Sequence, residues 1–409
     1  MRKSTLLFGL ITICFSTKAQ LNQNEAAETV QLNTITTAVP FVMIGPDSRS
    51  GAMGDAGVAL SPDANAAFWN PAKLGFVTNE LEVSLSYSPW LRALVPDMNL
   101  AYLTGYKKLD KKSAIAASLR FFSLGDINFT DANGNAIRTF SPSEVSIDAS
   151  YGVKLSKNFG GGIAVRFINS NLTGGTNVGG ANSKPGRSVA ADIAMFYTKS
   201  NFEIAKKKAT FNAGVNVSNI GAKMSYTDAG ERDFIPTNLK LGPALTIEID
   251  KTNQLTVQFE FNKLLVPTPP TYALNENGQP TIDPATGKYI IDKGRDPDVS
   301  VTSGIFGSFN DAPGGVKEEM REVNIGGGFE YWYDKQFAFR GGYFYEHPTK
   351  GDRQYLTFGA GVNYSMLSID LSYLVSTSNN NPLANTLRFT LRLNVAKLSD
   401  VKDQSAKEL

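Results

Sequence analysis

The chain has 409 residues, with 40 lysines and arginines against 38 aspartates and glutamates and a formal net charge of +2. This balance lacks the basic excess that indicates a nucleic-acid partner. One cysteine, Cys14, and one histidine, His347, exclude a disulfide framework, a histidine-rich zinc site and a Ser-His-Asp triad supported by sequence. We therefore expect no cofactor, no metal site and no catalytic residues.

The N-terminus has the pattern of a cleaved secretory signal. Arg2 and Lys3 precede an apolar run over residues 6–15, and residues 17–19 offer a cleavage site with small side chains. The run is too short to span a bilayer as a helix, and no later segment supplies the roughly 18 consecutive apolar residues that a membrane helix needs. We expect residues 1–19 to be a signal peptide and the exported protein to be soluble or a membrane-spanning barrel.

The segment that follows is poor in bulk and then carries large aromatics. The stretch PDSRSGAMGDAGVAL, residues 46–60, is rich in glycine and suits a narrow space. Phe68 and Trp69 come soon after it. Residues 38–78 are too few to hold a core, so these rings need a surface from another part of the chain.

A short helical turn is predicted in NPAKLG, residues 70–75. Asn70 is a favourable N-cap and Pro71 suits the first helical position, where its missing N–H costs nothing. Gly75 is expected to end the turn in a left-handed conformation.

From residue 80 onward, apolar and polar residues alternate with period two. In NTLRFTLRLNV, residues 385–395, leucine, phenylalanine and valine alternate with arginine, threonine and asparagine. Most runs last about ten residues, the length a tilted strand needs to cross the hydrocarbon layer. We predict about fourteen strands, which begin near residues 80, 98, 113, 144, 158, 187, 209, 238, 253, 320, 336, 353, 366 and 385.

The connections between these strands favour an outer-membrane barrel. Long connections alternate with short turns, the pattern of long outer loops and short periplasmic turns. A soluble β-sandwich would also alternate, and alternation alone cannot tell which face lies inside. Strand length and loop asymmetry favour the barrel. Its fold class is therefore all-β, a membrane-spanning antiparallel β-barrel of about 14 strands over residues 79–396.

If the oily face meets lipid, the inward face carries charges of both signs, which can pair with one another and with a plug. The lumen is also the nearest surface for the aromatics of residues 20–78, which we predict to be an N-terminal lumen plug. Glycines within NFGGGIAV and NIGGGFEY are expected to let strands bend or something approach the wall closely. The inward charges are Glu82, Arg120, Asp148, Lys154, Arg166, Asp192, Lys240, Glu260, Glu330, Arg340, Asp370, Arg388 and Arg392.

Aromatic residues near the strand ends fit interfacial girdles, although they are also ordinary strand formers. They include Tyr87, Trp90, Tyr102, Tyr106, Tyr151, Tyr197, Tyr331, Trp332, Tyr333, Tyr343 and Tyr345.

The connection over residues 264–319 is long enough to indicate a functional extracellular loop or disorder. Turns are predicted at Asn277-Gly278 and near Thr286-Gly287. Large apolar side chains here are costly to expose. Two interpretations are equally favoured: a partner covers them, or the loop folds back over the barrel mouth. The predicted partner-binding residues are Tyr272, Leu274, Ile290, Ile305, Phe306 and Phe309. Residues 397–409 are expected to form a periplasmic C-terminal tail.

The N-terminal region resembles that of a known family. PFVMIGPDSRSGAMGDAGVA and FWNPAKLGF are similar to the FadL-like outer-membrane barrels, and more narrowly to the PorV family, outer-membrane components of the type IX protein secretion system. The residues that carry this plug motif are Pro46, Asp47, Ser48, Arg49, Phe68, Trp69, Asn70, Pro71, Ala72 and Leu74.

The resemblance implies a function in protein secretion. Such a barrel is not an enzyme, contacts outer-membrane lipid, and works with a large outer-membrane translocon barrel and with secreted cargo proteins that bear C-terminal signal domains. It passes the cargo to a cell-surface attachment complex. PorQ, a sibling of similar fold in the same system, is an alternative. A FadL-like transporter of hydrophobic small molecules is the alternative function; it predicts an apolar pocket within the barrel and a lateral gap in the wall.

Overall fold

The computed structural model describes residues 32–395, apart from 93–94, 96, 131–132, 176, 179–180, 229–231, 379–382 and 384. The expected signal peptide and C-terminal tail lie outside the described residues. None of the helices in the described part of the chain has the length and apolar character needed to cross a membrane.

The predicted barrel is confirmed: fourteen antiparallel strands close on themselves. The last strand pairs with the first, from Glu82 opposite Asn394 to Tyr87 opposite Phe389. The strands β1 to β14 are, in order, Leu81–Pro89, Asn99–Lys108, Ser113–Ser123, Ser143–Lys154, Phe159–Asn171, Gly186–Ile204, Lys207–Gly221, Asn238–Glu248, Asn253–Leu264, Val323–Tyr333, Phe337–Tyr345, Gln354–Tyr364, Leu367–Ser376 and Leu387–Asn394.

Apolar side chains cover the outside of the barrel and polar ones line its lumen. In β5, Ile163, Val165 and Phe167 are exposed, whereas Arg166 between them is buried. A soluble sandwich would bury its apolar face, so that alternative is wrong. The inward charges predicted from the alternation are all buried or half-buried.

The girdle prediction is wrong for aromatics on inward faces of strands, which include Tyr102, Tyr106 and Trp332, whose ring lies 5.4 Å from the Arg340 guanidinium carbon. Tyr102 and Tyr106 lie inside the barrel and are 1% and 2% exposed. They share the inward face of β2 with Leu100 and Thr104, because alternate residues of a strand point to the same side. Residues near the other strand ends, such as Tyr87 and Tyr197, do lie on the outside.

The two ends of the barrel differ, as predicted. The short-turn rim carries residues 109–112, 155–158, 205–206, 249–252, 334–336 and 365–366. The long-loop rim carries residues 90–98, 124–142, 172–185, 222–237, 265–322, 346–353 and 377–386. Hairpins lie within the long connections, including Ile127–Thr130 with Ala136–Phe140 and Thr271–Tyr272 with Ile291–Lys293.

The described part of the chain has four short α-helices, none of which belongs to the barrel wall itself. Helices α1 and α2, Ser48–Gly51 and Ala66–Trp69, precede the first strand, together with 3-10 turns at Pro40–Met43 and Pro71–Phe76. Helices α3 and α4, Val301–Gly307 and Val316–Arg321, belong to the connection over residues 265–322. The strand predicted to begin near residue 320 therefore begins at Val323, because its charged start is the helix α4.

The NPAKLG turn forms largely as predicted. The Asn70 side chain accepts the N–H of Ala72 at 3.0 Å, and Pro71 opens the 3-10 turn. The prediction that Gly75 adopts a left-handed conformation is wrong, since the turn continues to Phe76 and Gly75 has no positive φ. Its missing side chain has another use: a Cβ there would lie 2.6 Å from the backbone nitrogen of Lys154 in the wall.

Candidate functional site

The segment before the first strand runs through the lumen from the long-loop rim to the short-turn rim, and we call residues 38–77 the plug. At the upper end, Ala38 donates its N–H to Phe234 O at 2.9 Å, within a long connection. At the lower end, Gly75 lies against the backbone of Lys154, which precedes a short turn. All ten residues of the predicted plug motif are buried.

Close backbone contact between plug and wall depends on glycine. Gly54 has φ +76°, and a Cβ there would lie 2.4 Å from Tyr343 O. On the wall, a Cβ at Gly162 would lie 2.2 Å from the Ala72 nitrogen, and one at Gly326 would lie 2.4 Å from Gly54 O. The mid-strand glycines therefore serve one of their two predicted purposes, the close approach of another segment.

Buried ion pairs tie the plug to the wall. Arg49 in α1 donates to both carboxylate oxygens of Glu330, with distances of 2.9 Å from Nε and 2.8 Å from Nη2. Its Nη1 lies 3.1 Å from Asp63 Oδ2 within the plug. Arg340 links Glu330 to Asp370, at 2.7 Å from each. Mixed lumen charges thus compensate one another across the plug boundary.

A second set of contacts holds the turn after α1. Asp55 pairs with Arg388, whose Nη2 lies 3.1 Å from Oδ2, and accepts the Tyr355 hydroxyl at 2.6 Å. Glu260 accepts the N–H groups of Gly57 and Val58, both at 2.7 Å. Sequence analysis missed Asp55, since nothing in its neighbourhood distinguishes it from an ordinary turn residue.

Phe68 and Trp69 pack among cations inside the lumen. The Phe68 ring lies 4.6 Å from the Arg120 guanidinium carbon and 4.6 Å from Lys240 Nζ, distances suited to cation–π attraction. Trp69 Nε1 donates to Asp47 Oδ1 at 2.5 Å. The two rings meet edge to face, with centroids 4.9 Å apart. Wall and plug together therefore supply the surface these aromatics need.

Little space is left around the plug at Phe68. A cavity there holds about 10 Å³, about the volume of one water probe. Its lining includes charged Arg166 and Lys240, so it does not match the apolar pocket that a transporter of hydrophobic molecules requires. Within the described residues, no cluster of three or more His, Cys, Asp or Glu side chains could hold a metal ion.

The connection over residues 265–322 carries a projecting hairpin, residues 271–293, which we call the β-arm. Tyr272 pairs with Ile291, and both predicted turns form, with φ +73° at Gly278 and +70° at Gly287. Several large apolar side chains of the β-arm are exposed, led by Leu274 at 64%. They are Leu274, Ile282, Tyr289 and Ile290, of which Ile282 and Tyr289 were missed by sequence analysis.

The six predicted partner-binding residues fall on separate parts of this connection. Tyr272, Leu274 and Ile290 belong to the β-arm. Ile305 and Phe306 lie on α3, and Phe309 follows it. Phe306 and Phe309 are 75% and 51% exposed, so folding over the barrel mouth does not cover them.

Buried charges fasten the base of the connection to the barrel rim, and we call this group the rim latch. Lys263 Nζ lies 2.9 Å from Glu319 Oε2 and 2.6 Å from Glu322 Oε2. Lys350 Nζ lies 2.9 Å from Glu322 Oε1 and 2.6 Å from Glu318 Oε1. Helix α4 is thereby held between β9 and the connection over residues 346–353.

Asp311 lies beside the rim latch. Glu319 Oε1 accepts the N–H groups of Asp311 and Ala312, at 2.8 and 2.9 Å. Burial, together with the nearby charge of Glu319, raises the pKa of Asp311 to about 6. The base of the connection thus contains a carboxyl group that titrates at mildly acidic pH.

Three solved structures with remote likeness are all of bacterial proteins. The Pseudomonas putida toluene transporter TodX is 12% identical with a TM-score of 0.46, over 88% of this chain and 98% of its own. The Ralstonia pickettii toluene transporter TbuX is 12% identical with a TM-score of 0.44, over 86% of this chain and 97% of its own. A Pseudomonas aeruginosa FadL homologue is 11% identical with a TM-score of 0.39, over 89% of this chain and 99% of its own. No curated protein sequence matches the chain.

A closed barrel with an apolar outer face and a filled polar interior satisfies its backbone within lipid and defines an outer-membrane β-barrel protein. The family described as Type IX secretion system protein PorV matches residues 26–271, more than half of the chain. The chain belongs to the PorV family, and it is an outer-membrane component of type IX secretion.

Proposed function

We propose that this PorV-family barrel is a non-enzymatic adaptor in type IX secretion. It binds a large outer-membrane translocon barrel and cargo proteins with C-terminal signal domains, and it passes the cargo to a cell-surface attachment complex. The observation that carries this proposal is an exposed apolar β-arm on a barrel whose lumen is occupied by its own plug.

The filled lumen supports an adaptor in preference to a conduit. The plug is fastened by buried ion pairs such as Arg49–Glu330 and by backbone contacts too close for a side chain. Moving it would break charge pairs that are costly to separate inside a protein. Cargo therefore passes through the partner barrel and not through this lumen.

The connection over residues 265–322 supplies the partner surface. Contiguous exposed apolar side chains usually mark an interaction site, and the β-arm offers such a set, since Tyr289 pairs with Ile282 and its ring lies 5.2 Å from that of Tyr272. Leu274 and Ile290 of the β-arm, together with Phe306 of α3, expose apolar area beyond the wall. Tyr272, Ile305 and Phe309 complete the proposed surface, which meets the translocon or the cargo.

The test is to shorten the β-arm without disturbing the barrel. Because Tyr272 pairs with Ile291, a two-residue Asn-Gly turn can replace residues 273–290. We expect the variant to assemble in the outer membrane, to lose co-purification of the large barrel, and to stop secretion of a reporter with a C-terminal signal domain. Normal secretion by a correctly assembled variant would refute the role of the β-arm.

A matched pair of point variants separates surface chemistry from loop length. Leu274→Ser on the β-arm is compared with Ile137→Ser in another long connection, since these side chains are 64% and 66% exposed. Leu274→Ser should reduce secretion and Ile137→Ser should not. The double variant Leu274→Ser/Ile290→Ser should reduce secretion further. Gentle extraction of the unaltered protein tests the alternative: a stoichiometric apolar ligand displaced by fatty acids, with no partner barrel, would favour small-molecule transport.

A further inference from the structure

A groove of about 270 Å³ lies where α4 meets the outer wall of the barrel. Leu241 and Phe261, neighbours across β8 and β9, form its floor; they are 40% and 38% exposed on the outward face. Phe261 is in turn opposite Ile325 of β10, which is also exposed. The floor is therefore a continuation of the lipid-facing wall. The apolar lining is Leu239, Leu241, Phe261, Phe309, Val316, Met320 and Val323.

One side of α4 is committed to the rim latch. Glu319 and Glu322, three residues apart on the helix, both reach Lys263. This pairing fixes the rotation of the helix about its axis. The opposite side therefore faces away from the rim latch and borders the groove, which Val316 and Met320 line.

That opposite side is apolar and basic. Val316 and Met320, four residues apart, share one face and are 78% and 73% exposed. Lys317 follows Val316 and Arg321 follows Met320, so the two cations form a basic stripe beside the apolar face. Leaving Val316 and Met320 in water forgoes the free energy that burial of their apolar surface would release.

We propose that the groove binds an acyl chain of an outer-membrane lipid whose phosphate headgroup has a net negative charge and lies against Lys317 and Arg321. The apolar lining accepts the chain, and the groove opens onto the wall that already contacts lipid. Cations beside an apolar face are the arrangement with which interfacial helices hold anionic lipids. Phe309 lies at the boundary between this groove and the proposed partner surface.

Spin labelling tests the location of the groove in a membrane. Cys14 is the sole cysteine of the chain, so a Cys14→Ser background permits one label at Met320→Cys. The control is Thr302→Cys on the exposed side of α3. In nanodiscs, label 320 should collide more with oxygen than with a water-soluble nickel chelate, and label 302 should show the reverse. A label at 320 that favours nickel would overturn the lipid groove.

The headgroup assignment has its own test. Label 320 is compared in nanodiscs of phosphatidylcholine alone, with phosphatidylglycerol, and with diphosphoryl lipid A. We expect immobilisation of the label by one or both of the net-anionic lipids, phosphatidylglycerol and lipid A, and the comparison between them separates a phospholipid from a lipopolysaccharide source. The effect should be lost in Lys317→Gln/Arg321→Gln. Equal mobility in all three nanodiscs, or immobilisation that survives the double substitution, would overturn the assignment.

Two checks protect these experiments against a misfolded variant. Each labelled protein must keep the heat-modifiable migration of a closed barrel in electrophoresis. If Met320→Cys fails this check, Val316→Cys on the same face replaces it and must give the same accessibility pattern.

Discussion

Arg49 of the plug and Glu330 of the barrel wall form a two-point ion pair inside the lumen, although 281 residues separate them in sequence. Both side chains are almost fully buried. The pair joins a segment of four-residue helices, which has no core of its own, to the sheet that surrounds it.

Replacing Arg49 with methionine should destabilise the folded barrel strongly. The substitution keeps a long side chain but leaves the Glu330 and Asp63 carboxylates without their shared cation, which costs about 3–5 kcal/mol for a buried pair. Urea unfolding of the detergent-solubilised protein measures the loss. Lys184→Met removes an exposed pair with Asp228 and should cost at most about 1 kcal/mol. Equal effects of the two variants would contradict a specific role for the lumen pair.

Gly54→Ala should loosen the plug. The new Cβ would lie 2.4 Å from Tyr343 O and 2.6 Å from Gly327 O, so plug or wall must move. Gly134→Ala is the matched control: it also has a positive φ, +83°, but nothing lies within 4 Å of its Cβ. Backbone strain of about 1 kcal/mol is common to both. Only Gly54→Ala should raise channel conductance in planar bilayers. If the Gly54→Ala barrel stays closed to ions, the prediction that the added Cβ loosens the plug is wrong.

Removing Lys263 should release α4 from the rim. In Lys263→Met, the carboxylates of Glu319 and Glu322 stay buried with one cation fewer, an arrangement that typically costs about 3–5 kcal/mol. Faster hydrogen exchange and proteolysis over residues 308–322 are expected. The exposed Lys288, 3.8 Å from Asp296, supplies the control Lys288→Met, which should leave that segment unchanged. Protection retained in Lys263→Met would argue against the rim latch.

The base of the long connection should become less stable as pH rises. The pKa of Asp311 is raised to about 6 by burial and by Glu319, above its usual value of 3.8, so the folded state holds the proton more tightly than the unfolded state does. Its stabilising contribution is complete below about pH 4 and disappears as pH passes about 6. Asp311→Asn should remove this part of the pH dependence. Hydrogen exchange of residues 308–322 between pH 5 and 7.5 is compared for the unaltered protein and Asp311→Asn. Identical pH profiles for the two would refute a contribution from Asp311.

The strands and their order could be predicted because the signal is local. A strand repeats every two residues, so a run such as residues 385–395 predicts strand β14 without knowledge of its neighbours. The turns at Gly278 and Gly287 were equally predictable, because glycine tolerates the positive φ that tight turns need. The Asn70 cap belongs to the same class of local signals.

Other features depended on contacts that no local pattern contains. Tyr102 and Tyr106 looked like interfacial aromatics, yet the inward face of β2 and the plug beside it bury them. Gly75 looked like a helix terminator, yet the nearby backbone of Lys154 explains its missing side chain. The rim latch escaped notice because Lys263 and Glu322 are far apart in sequence and nothing in either segment names its partner.

By itself, therefore, the sequence determined the number and polarity pattern of the strands, the alternation of short turns and long loops, and the motif that indicates the PorV family. The tertiary structure alone decided that the oily face is outside, which charges pair across the lumen, and how α4 presents an apolar side to the wall. Strand periodicity and turn chemistry act over a few residues. Ion pairing and close backbone packing join segments that only barrel closure brings together.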